Sequence, residues 1–239
     1  MARRRDVVAG LTALAVCGGG RAWAGGRLGV APTLLEMDGR DGNRLLYVNN
    51  GGDGPLTVQV RLFAWRNVDE REDLTPTDEI AFSPGQFTVQ SGGRQVVRLA
   101  ARTPPGERER AYRIVVDQLP GLERGGVEMP VRMMVPLFVA AAAPERGEPR
   151  LDWSATLDRA SGEVTLAAAN PGRRRVRLAE LAWEADGRRT VIAAGLAGYA
   201  LAGETWLCRF PMIGDPASLR ISARTERGAI NADVPLAVA

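Results

Sequence analysis

The sequence predicts an all-β protein built as two tandem immunoglobulin-like β-sandwich domains, on three grounds. Beyond residue 25, apolar and polar residues alternate with period two almost throughout, as in strands with one buried face. Gly, Pro, Asn or Asp interrupts the alternation roughly every 8 to 12 residues, the spacing of short antiparallel strands joined by turns. No stretch keeps a helical period, and 239 residues, 45% of them hydrophobic, suffice for two domains of ordinary size.

The chain opens on an address. Arg3, Arg4 and Arg5 precede an apolar run from Val7 to Val16, and Ala22-Trp23-Ala24 places small residues at the two positions that signal peptidase reads. A membrane anchor needs about 20 apolar residues, roughly twice this run, so residues 1–24 read as a secretory signal peptide. Cys17 follows Val16, bulkier than the small residue of a lipoprotein site, and is discarded with the signal. Cleavage after Ala24 removes four Arg and one Asp, which turns a formal charge of +3 into a neutral mature chain. The apparent case for a nucleic-acid partner leaves with the signal. Cys208 alone remains, so an intramolecular disulfide is excluded, and it reads as a small buried hydrophobe.

The first domain, residues 25–140, is expected to hold strands at 28–37, 43–49, 56–65, 79–82, 94–101, 111–119 and 127–139. Seven strands in about 115 residues is the immunoglobulin-like count. On the third, Leu56, Val58, Val60 and Leu62 share a core face, and Phe63 and Trp65 pack on the other. Asp69, Glu70, Glu72 and Asp73 read as a solvated loop. Residues 141–149, aperiodic and with two prolines, read as a linker. The second domain, residues 150–239, is expected to hold strands at 150–157, 163–170, 175–183, 189–194, 205–210, 218–224 and 229–238, with Asp186-Gly187 as a tight turn. Arg173-Arg174-Arg175 reads as a solvated turn, since no aromatic interleaves it.

The composition excludes much chemistry. There is no His, and all 31 basic residues are Arg. Imidazole bases, Ser/His/Asp triads, Schiff-base amines, P-loop lysines and His-bound metals are therefore out of reach. No enzyme activity, catalytic residue, metal, cofactor or small-molecule substrate is expected.

One expected strand is too long for its domain. Val127, Met129, Val131, Met133, Val135, Leu137 and Val139 put consecutive odd positions on one apolar face. Thirteen residues span about 40 Å, twice a typical sandwich strand. Val135, Leu137 and Val139 are expected to fill the core while Val127, Met129, Val131 and Met133 overhang. Burying those four against a partner is worth about 6 to 12 kcal/mol gross, at about 1.5 to 3 each. Pro130 and Pro136 mark an edge strand; both missing donors fall on one edge, and the odd-residue edge, with its full set of hydrogen-bonding groups, is expected to be the one lent to another chain. An ordinary edge strand covered by the amino-terminal strand is the alternative.

Val30-Ala31-Pro32-Thr33, the Val60–Trp65 strand, Val97-Arg98-Leu99, Glu109-Arg110-Ala111-Tyr112-Arg113-Ile114 leading to Leu119-Pro120, and Val135-Pro136-Leu137-Phe138-Val139 together resemble the periplasmic pilus-assembly chaperones of the chaperone–usher pathway. The Tyr-Arg-Ile run and the Val-Pro-Leu-Phe-Val ending resemble the archaic, spore-coat-U-associated branch. The resemblance implies a boomerang of two immunoglobulin-like domains in the periplasm. Such a chaperone captures pilin subunits, each a sandwich lacking its last strand, by lending its long first-domain G strand, and passes them to an outer-membrane usher. Val127, Met129, Val131 and Met133 are then the residues that fill the subunit groove. Whether two free copies cap each other's strand stays open.

In the better-known branch an Arg on the first strand and a Lys on the G strand hold the subunit's terminal carboxylate. Those positions fall here on Leu34 and Pro136, neither of which can bind one. Arg113 and Arg132 are expected to substitute, a buried carboxylate needing a cation with hydrogen bonds, with two ordinary structural arginines as the open alternative. A secreted pilin or adhesin subunit is the rival function; the second strand series and the linker count against it.

Overall fold

The computed structural model describes residues 28–38, 42–120, 129–143, 150–214 and 216–239. The expected signal peptide, Val127 and most of the expected linker lie outside the described residues. Within them the chain is all strand and turn.

The first sandwich is two sheets over one core. One runs β1 (Leu28–Ala31), β3 (Asn43–Asn50), β8 (Arg94–Ala101), β6 (Ile80–Ser83). The other runs β2 (Leu35–Met37), β10 (Arg132–Val139), β9 (Arg110–Gln118), β4 (Leu56–Val68), β5 (Arg71–Pro76), with β7 (Gln86–Val89) also on β4. The alternation works as expected: Val58, Val60 and Leu62 meet Leu46, Val48, Val97, Leu99, Tyr112, Ile114, Leu137 and Val139 between the sheets. The expected first strand is broken. At Pro32, which offers no N–H, the chain leaves β3 and crosses to the second sheet, where β2 lies parallel to β10.

The second sandwich is one continuous path, β14 (Arg188–Ala200), β13 (Val176–Ala185), β16 (Ser218–Thr225), β17 (Gly228–Val238), β11 (Asp152–Asp158), β12 (Glu163–Ala169), β15 (Thr205–Pro211). β17 joins the layers, pairing antiparallel with β16 and then, through Leu236–Val238, parallel with β11. β14 runs past the expected end at Ala194. Gly198 permits this: a Cβ there would lie 2.3 Å from the Trp206 indole nitrogen, so the strand passes beneath the ring only without a side chain.

Two expectations are corrected. Asp69, Glu70, Glu72 and Asp73 are all solvated but are not one loop: Asp69, at φ 52°, and Glu70 turn a hairpin, whereas Glu72 and Asp73 lie on β5 in register with Asn67 and Arg66 of β4. The long strand is also shorter than 13 residues. β9 ends at Gln118, whose N–H is donated to the Val131 carbonyl at 2.9 Å, and nothing among the described residues continues the ladder beyond it. A strand persists only while a neighbour holds its polar backbone. Met129 to Val131 therefore extend without strand pairing, Met129 81% and Val131 41% exposed, while Met133 packs against the core.

Leu137 is fully buried and Met129 exposed. Leu137→Ala is expected to cost about 2 to 5 kcal/mol in urea unfolding, and Met129→Ala less than about 0.5 kcal/mol.

Candidate functional site

Antiparallel pairing decides which edge of β10 is open. The Val131–Gln118 bond fixes the register in which Val131, Met133, Val135, Leu137 and Val139 bond to β9. The odd-residue edge is thus occupied, which corrects the expectation that it is the edge on offer. The outer edge belongs to Arg132, Met134, Pro136 and Phe138. β2 covers it only from Leu137 to Val139, and Ala140 donates its N–H to the Met37 carbonyl at 2.9 Å. From Arg132 to Pro136 no strand among the described residues pairs with that edge. It carries donors at Arg132 and Met134 and lacks one at Pro136.

The even face of β10 looks toward the second domain. Phe138 of β10, Trp65 of β4 and Tyr199 of β14 pack with ring centroids 5.4 to 5.8 Å apart, joined by Leu201 and flanked by Leu34, Leu74 and Ala111. Leu34, at one family cation position, thus joins an apolar seam, and Pro136, at the other, is buried.

Two arginines clamp this seam. The Arg175 guanidinium lies 3.7 Å from the Phe138 centroid; Nη1 donates to Glu109 at 2.6 Å, Nη2 to Glu36, and the Arg175 N–H to Glu109 at 2.9 Å. Only 6% of the Arg175 side chain is exposed, which corrects the solvated reading for that residue, while Arg173 and Arg174 are exposed as expected. Burial pushes the Glu109 carboxyl up against the opposing charge of Arg175. Glu36 is also raised by burial, but the bonds and charges of Arg175 and Arg174 prevail and hold it below the ordinary value.

Arg113 is the second clamp. Its cross-strand neighbours, Phe63 and Pro136, offer its side chain no polar group, and the guanidinium reaches diagonally over Trp65, 3.7 Å from the ring centroid, to Glu72 on β5. Nε donates to Glu72 Oε2 at 3.0 Å and Nη2 to Oε1. The same hairpin is tied to the second domain: Asn67 donates its N–H to Glu204 at 2.7 Å and its amide to the Tyr199 carbonyl at 2.8 Å, and Glu70 pairs with Arg209.

Arg132 lies four positions from Pro136, roughly 13 Å along the strand, and donates to Asp117, which also takes two bonds from Arg61 at 2.6 and 3.1 Å. The two expected anchors are therefore apart, Arg113 at the junction and Arg132 toward the exposed end of β10. Burial pushes the Asp117 carboxyl up, but the bonds from Arg132 and Arg61 prevail and hold it below the ordinary value. Cys208 carries no nucleophile: burial, helped by the charge of Glu70, pushes its thiol up to about 12.

Arg175→Met strips the buried Glu109 of its hydrogen-bonded cation, leaving only the half-exposed Arg174 at 4.0 Å, and is expected to cost about 3 to 5 kcal/mol in urea unfolding, with Glu109→Leu added to it restoring most of the loss. Asp117 titrates below its unfolded value when folded, so its contribution is fully present above the ordinary carboxylate value and is lost as pH falls from there through the lower folded value. Asp117→Asn is expected to be less stable than the parent at pH 6, with the gap closing below about pH 4 in pH-dependent thermal melts.

The matching family model is the pili and flagellar-assembly chaperone, PapD N-terminal domain, over residues 27–144. No curated protein matches by sequence. Similar solved structures include a chain of the CsuC–CsuE chaperone–tip adhesion subunit pre-assembly complex from the archaic chaperone–usher Csu pili of Acinetobacter baumannii, 22% identical, TM-score 0.66, covering 89% of this chain and 99% of that one. The E. coli chaperone DraB is 19% identical, TM-score 0.59, with 87% and 98% covered. The Pseudomonas aeruginosa chaperone CupB2 is 20% identical, TM-score 0.55, with 85% and 98% covered. These likenesses extend the shared fold across both sandwiches, and the first sandwich, residues 27–144, belongs to the family of the pili and flagellar-assembly chaperone, PapD N-terminal domain.

Proposed function

We propose that this protein is a periplasmic chaperone that stabilises pilin subunits by lending them β10 and delivers them to an outer-membrane usher. One observation carries the reading: the outer edge of β10 from Arg132 to Pro136 has no strand partner among the described residues, and the segment leading into it exposes Met129 and Val131. An open edge beside exposed apolar side chains is an aggregation hazard when idle and a strand-addition site when used. The main chain supplies hydrogen bonds along the outer edge, and Val127, Met129 and Val131 supply apolar anchors. Met133, packed against the core, marks where the overhang joins the sandwich.

Residues 1–24 as a signal peptide support the periplasmic address. The solved chaperone–subunit complex CsuC–CsuE supports a tip or pilin subunit as the client. A second sandwich docked through a buried seam favours a chaperone over a secreted pilin or adhesin subunit. Arg113, at the junction, is the better-placed carboxylate anchor of the two; Arg132 fixes the root of the donor segment through Asp117. Two idle copies covering each other's β10 would meet the same hazard.

Met129→Asp with Val131→Asp is expected to abolish co-purification of a co-expressed pilin subunit while the melting temperature of the chaperone stays within about 2 °C, both sites being exposed. Normal capture by this variant sinks the proposal. Met133→Asp is expected to lower the melting temperature as well.

A further inference from the structure

Arg113 presents an imbalance. Its side chain is 12% exposed and lies against the Trp65 ring, whereas Glu72, its carboxylate partner, is 40% exposed on an edge strand. A cation withdrawn from water needs a counter-charge at all times. The carboxylate has no matching need, because β5 is held by its main-chain pairing with β4 and Glu72 is readily solvated. The Trp65 indole N–H is buried with no acceptor among the described residues, and its ring, under the Arg113 guanidinium, reports on what that cation binds.

We infer that Glu72 is a built-in occupant of a carboxylate site, holding the Arg113 fork in the free protein and yielding it to the terminal carboxylate of an arriving subunit. The inference rests on the chaperone reading and on Arg113 as its anchor. Capture at this point is an exchange of one carboxylate for another. The new ion pair replaces an old one, so the contact adds little net affinity, and its value is register: only a chain that presents a carboxylate at the Trp65–Arg113 position displaces Glu72.

N-acetyl-Ala-Phe, as free acid and as carboxamide, serves as the probe, titrated into the intact protein and followed by the Arg113 Nε–H and Trp65 Nε1–H resonances, with R113Q to assign the first. In the parent the acid is expected to shift both resonances and the amide neither. E72Q, which keeps a hydrogen-bond acceptor but loses the charge, is expected to bind the acid about three- to tenfold more tightly and to melt below the parent, because Arg113 loses its counter-charge, with an unchanged circular-dichroism spectrum showing that the sandwich is intact. If the acid shifts the Arg113 resonance in the parent but E72Q binds it no better or more weakly, Glu72 is a positioning residue, and the exchange is overturned while the anchor stands. If the acid shifts neither resonance in either protein, Arg113 is no anchor and the inference falls with it.

Discussion

The joint between the two sandwiches hangs on the contact of Trp65, Phe138 and Tyr199. Three large rings from three strands close a seam that neither sandwich could close alone, and rings at such separations attract beyond their buried area, by about 0.5 to 1.5 kcal/mol per pair. The geometry also sets where β10 must end. Phe138 is pinned at the seam and Leu137 in the core one residue away, so the carboxyl-terminal half of the strand is immobilised on both faces. Whatever the strand offers to another chain must come from its other half.

That other half is left open because the neighbours run out at different places. β9 supports β10 as far as Arg132, while β2, parallel and three residues long, supports the opposite edge only from Leu137. The difference leaves five residues paired on one side only. Pro32 has a part in this: by breaking the amino-terminal strand it limits the length of β2 that can lie against β10. Extending β2 along its partner would cover the edge and end the strand's availability, so the interruption in the first strand and the opening in the tenth are one structural fact.

Much of this was legible in the alternation of apolar residues. Leu56, Val58, Val60 and Leu62, and the odd positions from Val135 to Val139, declare a core face by spacing alone, and the excess apolar residues before Val135 mark a segment without a home. Three features left no such mark. β5 is exposed at nearly every position, so it has no apolar period, and its existence follows from main-chain pairing that no side chain records. Arg175 is buried by Glu109 and Glu36, 66 and 139 residues away in sequence, and local composition cannot announce a distant partner. The orientation of β10 was inverted because proline positions reveal which edge lacks donors but not which edge meets β9; that depends on the register of a neighbouring strand.

The exclusive use of arginine has its plainest physical meaning at the two positions of the seam. At Arg113 and Arg175 a planar cation lies flat on an aromatic ring, 3.7 Å from its centroid, while its edge donates to carboxylates. A guanidinium does both at once, because its charge is delocalised over a flat, weakly hydrated face and its donors point outward in the plane. An ammonium is compact and strongly hydrated; pressed on Trp65 or Phe138 it would lose water without gaining the paired bonds. The two clamps differ in what surrounds them. Arg175 is enclosed, and its carboxylates include one that is itself buried, which makes that end of the seam a permanent joint. Arg113 meets a half-exposed carboxylate on an edge strand, which makes the other end the place where a partner can be exchanged without loosening the joint.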